Sequence, residues 1–140
     1  MGCIVGIDFG VNRTGLASTD PNQIIATGLD NLPTADVIPF LKAFCQKEEV
    51  DSFIIGKPLQ KDGSPSSVEP QIQAFLKRLQ IHFPNQTIER YDERYTSKIA
   101  FQSMIDGGLT KKKRSVKGTV DEVSAVIILQ SYLEYKTNTL

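Results

Sequence analysis

The feature that most constrains the fold is a change of hydrophobic period early in the chain. Three short apolar runs come first, Cys3–Phe9, Gly15–Thr19 and Ile24–Leu29, and Asp20-Pro21-Asn22 is a turn signal between the last two. Beyond them, helical spacing alternates with short β-rich runs. Three consecutive strands followed by strand–helix–strand crossovers predict an α/β fold. Its mixed five-stranded sheet would have three antiparallel strands, then parallel crossovers, with helices on both faces.

The later elements are predicted from the spacing of apolar residues and from flanking Pro and Gly residues. In chain order they are a helix over Val37–Cys45, a strand over Ser52–Ile55, a helix around Ile72–Leu79, a strand over Thr87–Tyr91, and helices over Ser97–Asp106 and Val120–Tyr135. No repeat or linker divides the 140 residues, so a single domain over 1–140 is expected.

The charge distribution matters more than its total. Sixteen basic and sixteen acidic side chains give a formal net charge of zero. Residues 90–117 nevertheless carry eight basic and three acidic side chains, whereas the segments on either side are net negative. The densest part contains Lys111, Lys112, Lys113, Arg114 and Lys117. Such a loop can follow phosphates, although a merely solvated basic loop is the alternative.

The sequence offers little that would indicate a membrane protein, a secreted protein or an enzyme with a catalytic cysteine or histidine. No apolar stretch is long enough to span a bilayer, and the N-terminus lacks the basic region of a signal peptide. Cys3 and Cys45 lie in apolar patterns typical of buried thiols, and His82 is the only histidine. We therefore expect a cytoplasmic protein without membrane contact and without cysteine or histidine catalysis.

The first candidate functional acid is Asp8, which ends the first strand inside Gly6-Ile7-Asp8-Phe9-Gly10. A carboxylate on a rigid strand end, with Gly10 and Gly15 leaving the turn open, can hold a divalent cation. The alternative is an aspartate that caps its own turn, and in isolation the two interpretations weigh equally.

The second candidate is the pair Asp92 and Glu93, followed by Arg94. Adjacent residues of a strand point to opposite sides, so only one of the two acids can easily face a site. The alternative is ordinary decoration of a helix N-terminus, with Thr96 or Ser97 as the N-cap.

The third candidate is Asp121. Thr119 and Glu122 match a capping box, which predicts that Asp121 lies in the first turn of the last helix. Glu122 has a structural function in that motif and Asp121 has none so obvious, which favours Asp121 as the functional acid.

Together these signals indicate metal-dependent phosphodiester hydrolysis. Three acids at the ends of elements and one cationic loop suit a site in which carboxylates hold a pair of divalent ions. Lys57, in the Gly56-Lys57-Pro58 turn, could approach a phosphate, with an exposed loop lysine as the equal alternative.

Four motifs, in order along nearly the whole chain, resemble the YqgF (RuvX) family. They are Gly6-Ile7-Asp8-Phe9-Gly10 with Arg13-Thr14-Gly15-Leu16-Ala17, Ile55-Gly56-Lys57-Pro58-Leu59 with Asp62-Gly63-Ser64, Asp92-Glu93-Arg94-Tyr95-Thr96-Ser97, and Lys117 with Val120-Asp121-Glu122-Val123-Ser124-Ala125. The resemblance implies an RNase H-like fold. It also implies a bacterial, cytoplasmic nuclease, described both as a factor maturing the 5′ end of pre-16S ribosomal RNA and as a Holliday junction resolvase.

Carried over by position, the resemblance implies that Asp8, Glu93 and Asp121 are the catalytic acids and hold Mg²⁺ or Mn²⁺, as two ions. Glu93 is preferred over Asp92. The expected substrate-binding residues are cationic: Arg13, Lys57, Arg94, Lys111, Lys112, Lys113, Arg114 and Lys117. The expected partners are precursor rRNA or branched DNA and ribosome-assembly proteins, with the chain a monomer or homodimer.

The fourth strand departs from the pattern of many RNase H-like nucleases, because Gly56-Lys57-Pro58 stands where their second acid lies. The middle acid must then come from the next strand. A non-catalytic nucleic-acid-binding module with the same fold is therefore an alternative. One lobe of a sugar-kinase or actin-like ATPase is a weaker one, since 140 residues supply one lobe where those folds need two.

Overall fold

A computed structural model describes residues 2–95 and 117–138; of Tyr95, residues 117–122 and Asn138 it describes the backbone only. The principal elements are β1 (Cys3–Asp8), β2 (Arg13–Thr19), β3 (Ala26–Pro33), α1 (Val37–Lys47), β4 (Val50–Lys57), α2 (Glu69–His82), β5 (Thr87–Asp92) and α3 (Lys117–Asn138). Two short 3₁₀ turns, Thr34–Asp36 and Glu93–Tyr95, precede α1 and follow β5.

The sheet has the predicted mixed topology. Its strand order is β3-β2-β1-β4-β5, with β1–β2 and β2–β3 antiparallel and β1–β4 and β4–β5 parallel. The carboxyl ends of β1, β4 and β5 therefore meet at one edge of the sheet. In open α/β sheets this edge is where ligands usually bind.

Alternation along the strands divides the core into two layers. Val5 and Ile7 pack with α1 and α2, whereas Ile4 packs with Ala125 and Leu129 of α3. We call these sides the α1–α2 face and the α3 face. The prediction of helices on both faces is confirmed, and the face of any strand residue follows from its position in the alternation.

The prediction for the third strand is wrong in position, since β3 begins at Ala26 and extends to Pro33. Ile24 and Ile25 are apolar but exposed, because the Asp20 carboxylate accepts hydrogen bonds from both of their backbone N–H groups at 2.9 and 2.8 Å. A local side-chain acceptor thus replaces a strand partner. Pro33 is tolerated because it ends an edge strand.

The last helix begins at Lys117, so the predicted capping box is wrong. Thr119 lies inside the helix and Asp121 is in its second turn. A helix can extend past a local cap signal because each added residue gains a hydrogen bond. The predicted helix Ser97–Asp106, its predicted caps Thr96 and Ser97, and the basic residues 111–114 lie outside the described residues.

Among the residues that the structure describes, none of the helices combines the length and the apolar character that crossing a membrane requires.

Candidate active site

Asp8 ends the central strand of the sheet and lies on the α3 face. Gly6, two residues earlier on that face, is so close to α3 that an added Cβ would lie 2.8 Å from Leu129 Cβ. Asp8 pairs with Gly15 of β2, and Gly56 of β4 follows Ile55, the partner of Ile7. Neither flanking strand therefore has a side chain of its own beside the half-buried Asp8.

The turn after Asp8 is held by hydroxyl groups. Thr34 Oγ1 donates to the Gly10 carbonyl at 2.6 Å, and Thr14 and Thr34 share a hydrogen bond of 2.8 Å. A side chain at Gly10 would overlap the Arg13 carbonyl oxygen, so the tight turn requires glycine. The sequence motif around Asp8 therefore folds into a fixed loop.

Glu93 follows β5, but its carboxylate lies over β4, the strand beside β1, on the same face of the sheet as Asp8. Tyr91 packs against Tyr132 of α3, so the alternation also directs residue 93 to the α3 face. An added Cβ at Gly56 would lie 2.7 Å from Glu93 Oε2 and 2.9 Å from Ile128 Cδ1. The Glu93 carboxylate thus occupies what we call the Gly56 gap, the space on the α3 face above Gly56. This is the end of the fourth strand, where the sequence itself supplies no acid.

The two adjacent acids have different environments. Burial raises the pKa of Glu93, and the Asp92 charge adds to this, while Arg90 opposes it. Asp92 lies on the α1–α2 face, where Arg94 donates to its carboxylate at 2.8 Å and holds the pKa of Asp92 below its usual value. Asp92 is thus already paired with a cation, and Glu93 is the acid that shares a face with Asp8.

Arg13 lies at the start of β2 on the α3 face, the same face as Asp8 and Gly15. Its Nε donates to Asn31 Oδ1 at 2.7 Å, and its Nη2 donates to the Asn31 carbonyl at 3.2 Å. Both contacts are exposed. The guanidinium is therefore oriented on the side of the site opposite Glu93.

The structure does not bring Lys57 and Arg94 to that face. Lys57 alternates with Phe53 and Ile55, which pack on the α1–α2 face, and its charge acts on Glu69 and Asp92. Arg94 is bound to Asp92 beneath the turn at Gly63, a residue with a positive φ of 89°. A substrate-binding function for these two cations stays a prediction.

Asp121 is described by its backbone alone. It belongs to the helical stripe that continues through Ala125 and Ile128, one and two turns later. Ala125 lies over Gly6 and Ile128 lies over Gly56, near the carboxyl ends of β1 and β4. The side chains of Asp121 and Lys117, and the basic residues 111–114, lie outside the described part.

The donor chemistry fits a divalent cation. Asp8 and Glu93 offer carboxylate oxygens, the ligands that Mg²⁺ prefers, and Glu93 is partly desolvated. Among the described residues there is no group of three His, Cys, Asp or Glu side chains that could hold a metal, and Asp121, the third predicted acid, lies outside that set.

Sequence reasoning missed Gly56 and the pair Glu69 and Arg90. Gly56 ends an apolar strand, which could have suggested a close approach by another group. The pair gave no local signal, because its members come from α2 and β5. Arg90 Nη1 donates to Glu69 at 3.0 Å, and Nη2 donates to the Gly56 carbonyl at 3.2 Å.

Comparisons with known proteins give consistent results. A family model described as "RuvX: Holliday junction resolvase" matches residues 2–135. A protein from Flavobacterium johnsoniae, named "Putative pre-16S rRNA nuclease", is 49% identical over 133 residues, covering 95% of this chain and 96% of the relative. A relative of the same name from Parabacteroides distasonis is 46% identical over 136 residues, covering 97% of each chain.

Among solved structures, the chain is similar to RuvC of Thermus thermophilus in complex with a Holliday junction substrate. The TM-score is 0.67 at 12% identity, with 99% of this chain and 98% of the other covered. A second Thermus thermophilus RuvC structure gives a TM-score of 0.58 at 14% identity, covering 96% and 97% of the two chains. At such low identity the similarity shows a shared fold, and the RNase H-like prediction is confirmed.

Proposed function

The chain belongs to the RuvX family, and from this we propose that it is a metal-dependent nuclease that hydrolyses phosphodiester bonds in structured nucleic acid. We infer that its reaction is processing of the 5′ end of pre-16S rRNA, the substrate in the names of its similar relatives. The observation that carries the proposal is the Glu93 carboxylate in the Gly56 gap, on the same face as Asp8.

Three acids would hold the metal: Asp8, Glu93 and Asp121. Divalent ions bound there, Mg²⁺ or Mn²⁺ and two in number, would supply activation of the attacking water and stabilisation of the leaving oxygen. The position of Glu93 also answers the main argument for a non-catalytic module. The fourth strand lacks its own acid, but Glu93 brings a carboxylate to that place.

The remaining residues would position the substrate. Gly15 places no side chain beside Asp8 on β2, where a phosphodiester could approach, and Arg13, held by Asn31, would bind a flanking phosphate. The basic residues 111–114 and Lys117 precede Asp121 in the chain. They would contact phosphates of the nucleic acid further from the cleaved bond. Sequence selection would then depend on the shape of the nucleic acid, because these contacts recognise phosphate.

Resolution of Holliday junctions is the second candidate, and two findings favour it: the description of the family model and the RuvC fold. Cutting a junction symmetrically calls for two active sites. A homodimer would favour this reaction and a monomer would favour RNA processing. Sedimentation of the protein with and without each substrate distinguishes the two.

The decisive experiment compares single substitutions in a cleavage assay with Mg²⁺, on precursor rRNA and on a four-way DNA junction in parallel. Asp8→Asn, Glu93→Gln and Asp121→Asn are expected to reduce cleavage by at least about 100-fold while circular dichroism stays unchanged. Asp92→Asn is the matched control, since it removes the neighbouring acid on the other face. Undiminished cleavage by the Asp8→Asn, Asp121→Asn double variant would overturn the proposal.

The proposed substrate also indicates where in the cell the protein acts. Precursor rRNA lies in the bacterial cytoplasm, so we place the protein there, together with ribosome-assembly proteins as its partners. Co-sedimentation of the protein with pre-ribosomal particles from a cell extract tests this placement, and its absence from those particles at low salt would contradict it.

A further inference from the structure

An ion pair on the α1–α2 face lies directly behind the candidate active site. Arg90 of β5 donates through Nη1 and Nη2 to the two carboxylate oxygens of Glu69, at 3.0 and 3.1 Å. Both side chains are mostly buried, with relative exposures of 18% and 13%. The pair therefore connects the first turn of α2 to the middle of an edge strand.

Arg90 also reaches the neighbouring strand. Its Nη2 donates to the Gly56 carbonyl at 3.2 Å, so one guanidinium connects α2, β5 and the carboxyl end of β4. Gly56 is the residue whose missing side chain leaves room for Glu93 on the opposite face. Arg90 thus holds the Gly56 carbonyl from the α1–α2 face, and the carboxylate of Glu93, the candidate metal ligand, lies against Gly56 on the α3 face.

The Arg90–Glu69 pair is not an efficient way to stabilise the fold. Arg90 Nε is buried, and no hydrogen-bond partner for it is found among the described residues. Leaving a buried donor unsatisfied costs free energy, and buried ion pairs are often no more stabilising than apolar residues of similar volume. What the pair does provide is a defined geometry, because the planar guanidinium fixes several acceptors at once.

We propose that Arg90 and Glu69 are positioning residues for the active site: they fix the Gly56 peptide and thereby the place of the Glu93 carboxylate. The proposal rests on the proposed function, in which Glu93 is a metal ligand. It assigns to these residues no contact with substrate or metal. They act through Gly56, across the thickness of the sheet.

The position of the carboxylate is sensitive to small movements of this peptide. The Glu93 carboxylate and Ile128 already lie within 3.0 Å of the place of a Cβ at Gly56. Metal–ligand distances in proteins stay within about 0.2 Å of their usual values, so a displaced carboxylate would coordinate an ion less well. If Arg90 no longer holds the Gly56 carbonyl, the end of β4 becomes more mobile. The Glu93 carboxylate that packs against it then no longer has a fixed position.

The test is Mn²⁺ binding measured by titration calorimetry, together with kcat and KM for cleavage. Arg90→Met should weaken Mn²⁺ binding by about 10- to 100-fold and lower kcat with little change in KM. Arg90→Lys keeps the charge, but a single ammonium cannot replace the planar fork, so it should show most of the loss. Glu69→Gln keeps an acceptor for Arg90 and should show a smaller loss.

Two controls separate positioning from stability and charge. Arg78→Met removes an exposed cation from α2 and should leave Mn²⁺ affinity unchanged. Ile72→Val removes one methyl group from the same hydrophobic layer, and should lower the melting temperature while metal affinity stays the same. An Arg90→Met protein that binds Mn²⁺ like the wild type would overturn the inference. A wild-type protein that binds no Mn²⁺ would instead overturn the proposed function.

Discussion

Replacing Gly56 by alanine would put a methyl group into the Gly56 gap, 2.7 Å from Glu93 Oε2 and 2.9 Å from Ile128 Cδ1. Ordinary contact begins at 3.4 Å, so the carboxylate must retreat by about 0.7 Å. Both clashing atoms are ends of side chains, so these ends can move while the backbone stays in place. This movement of the carboxylate is more than three times the roughly 0.2 Å by which metal–ligand distances depart from their usual values.

The expected effect on stability is small and the expected effect on activity is large. Overpacking costs about 1–3 kcal/mol, and the lower entropy of the unfolded chain offsets about 0.4–1 kcal/mol of this. We expect a loss of about 1 kcal/mol in urea unfolding. Misplacing one ligand by about 0.7 Å should lower kcat by about 10- to 100-fold, measured in the same Mg²⁺ cleavage assay.

A double-mutant cycle with Glu93→Ala isolates the contact. Without the Glu93 carboxylate, the added methyl meets only Ile128, so the stability cost of Gly56→Ala should fall by about 0.5 kcal/mol or more. Gly2→Ala is the matched control, because its added Cβ would clash at the other end of β1, next to the Glu49 carbonyl. Additive stabilities together with wild-type cleavage by Gly56→Ala would refute the reasoning.

Three further predictions concern the surroundings of the site. Arg90 holds the pKa of Glu69 below its ordinary value of 4.5, so this carboxylate stabilises the fold above that pH and stops doing so as the pH falls through the folded pKa. Glu69→Gln should therefore make the free energy of unfolding less dependent on pH as the pH falls below 4.5, and an unchanged slope would contradict the pairing. Thr34→Val removes the donor to the Gly10 carbonyl, which should cost about 1 kcal/mol and accelerate amide exchange in the turn after Asp8; unaltered exchange there would argue against the hydroxyl support. Alanine at all four basic residues 111–114 should weaken nucleic-acid binding and flatten the plot of log affinity against log salt, whereas an identical slope would exclude phosphate contacts by this run.

The strand-ending acid Asp8 was predictable because its signals are local. An apolar run, an acid and two glycines lie between Cys3 and Gly15, and the strand and turn that they indicate are the ones that form. The third strand was misplaced for an equally local reason. The pattern Ile24-Ile25 is typical of a strand, but hydrogen bonds to the Asp20 carboxylate decide the backbone there.

The relation between Glu93 and its neighbours was only half predictable. Alternation shows that Asp92 and Glu93 face opposite sides, yet it does not say which side holds Asp8. That depends on the pairing of β5 with β4 and on the packing of Tyr91 against α3. A slip of one residue in register would exchange the faces of the two acids.

The order and type of the elements within the described residues, the mixed sheet and the acid at its centre were determined by the sequence alone, because hydrophobic period and turn residues act over a few positions. The tertiary structure decided that Glu93 fills the space above Gly56 and that Arg90 and Glu69 hold the same peptide from behind. These residues lie far apart in the chain. Only the strand register and the close approach of α3 bring them to one point, and neither is encoded in a local pattern.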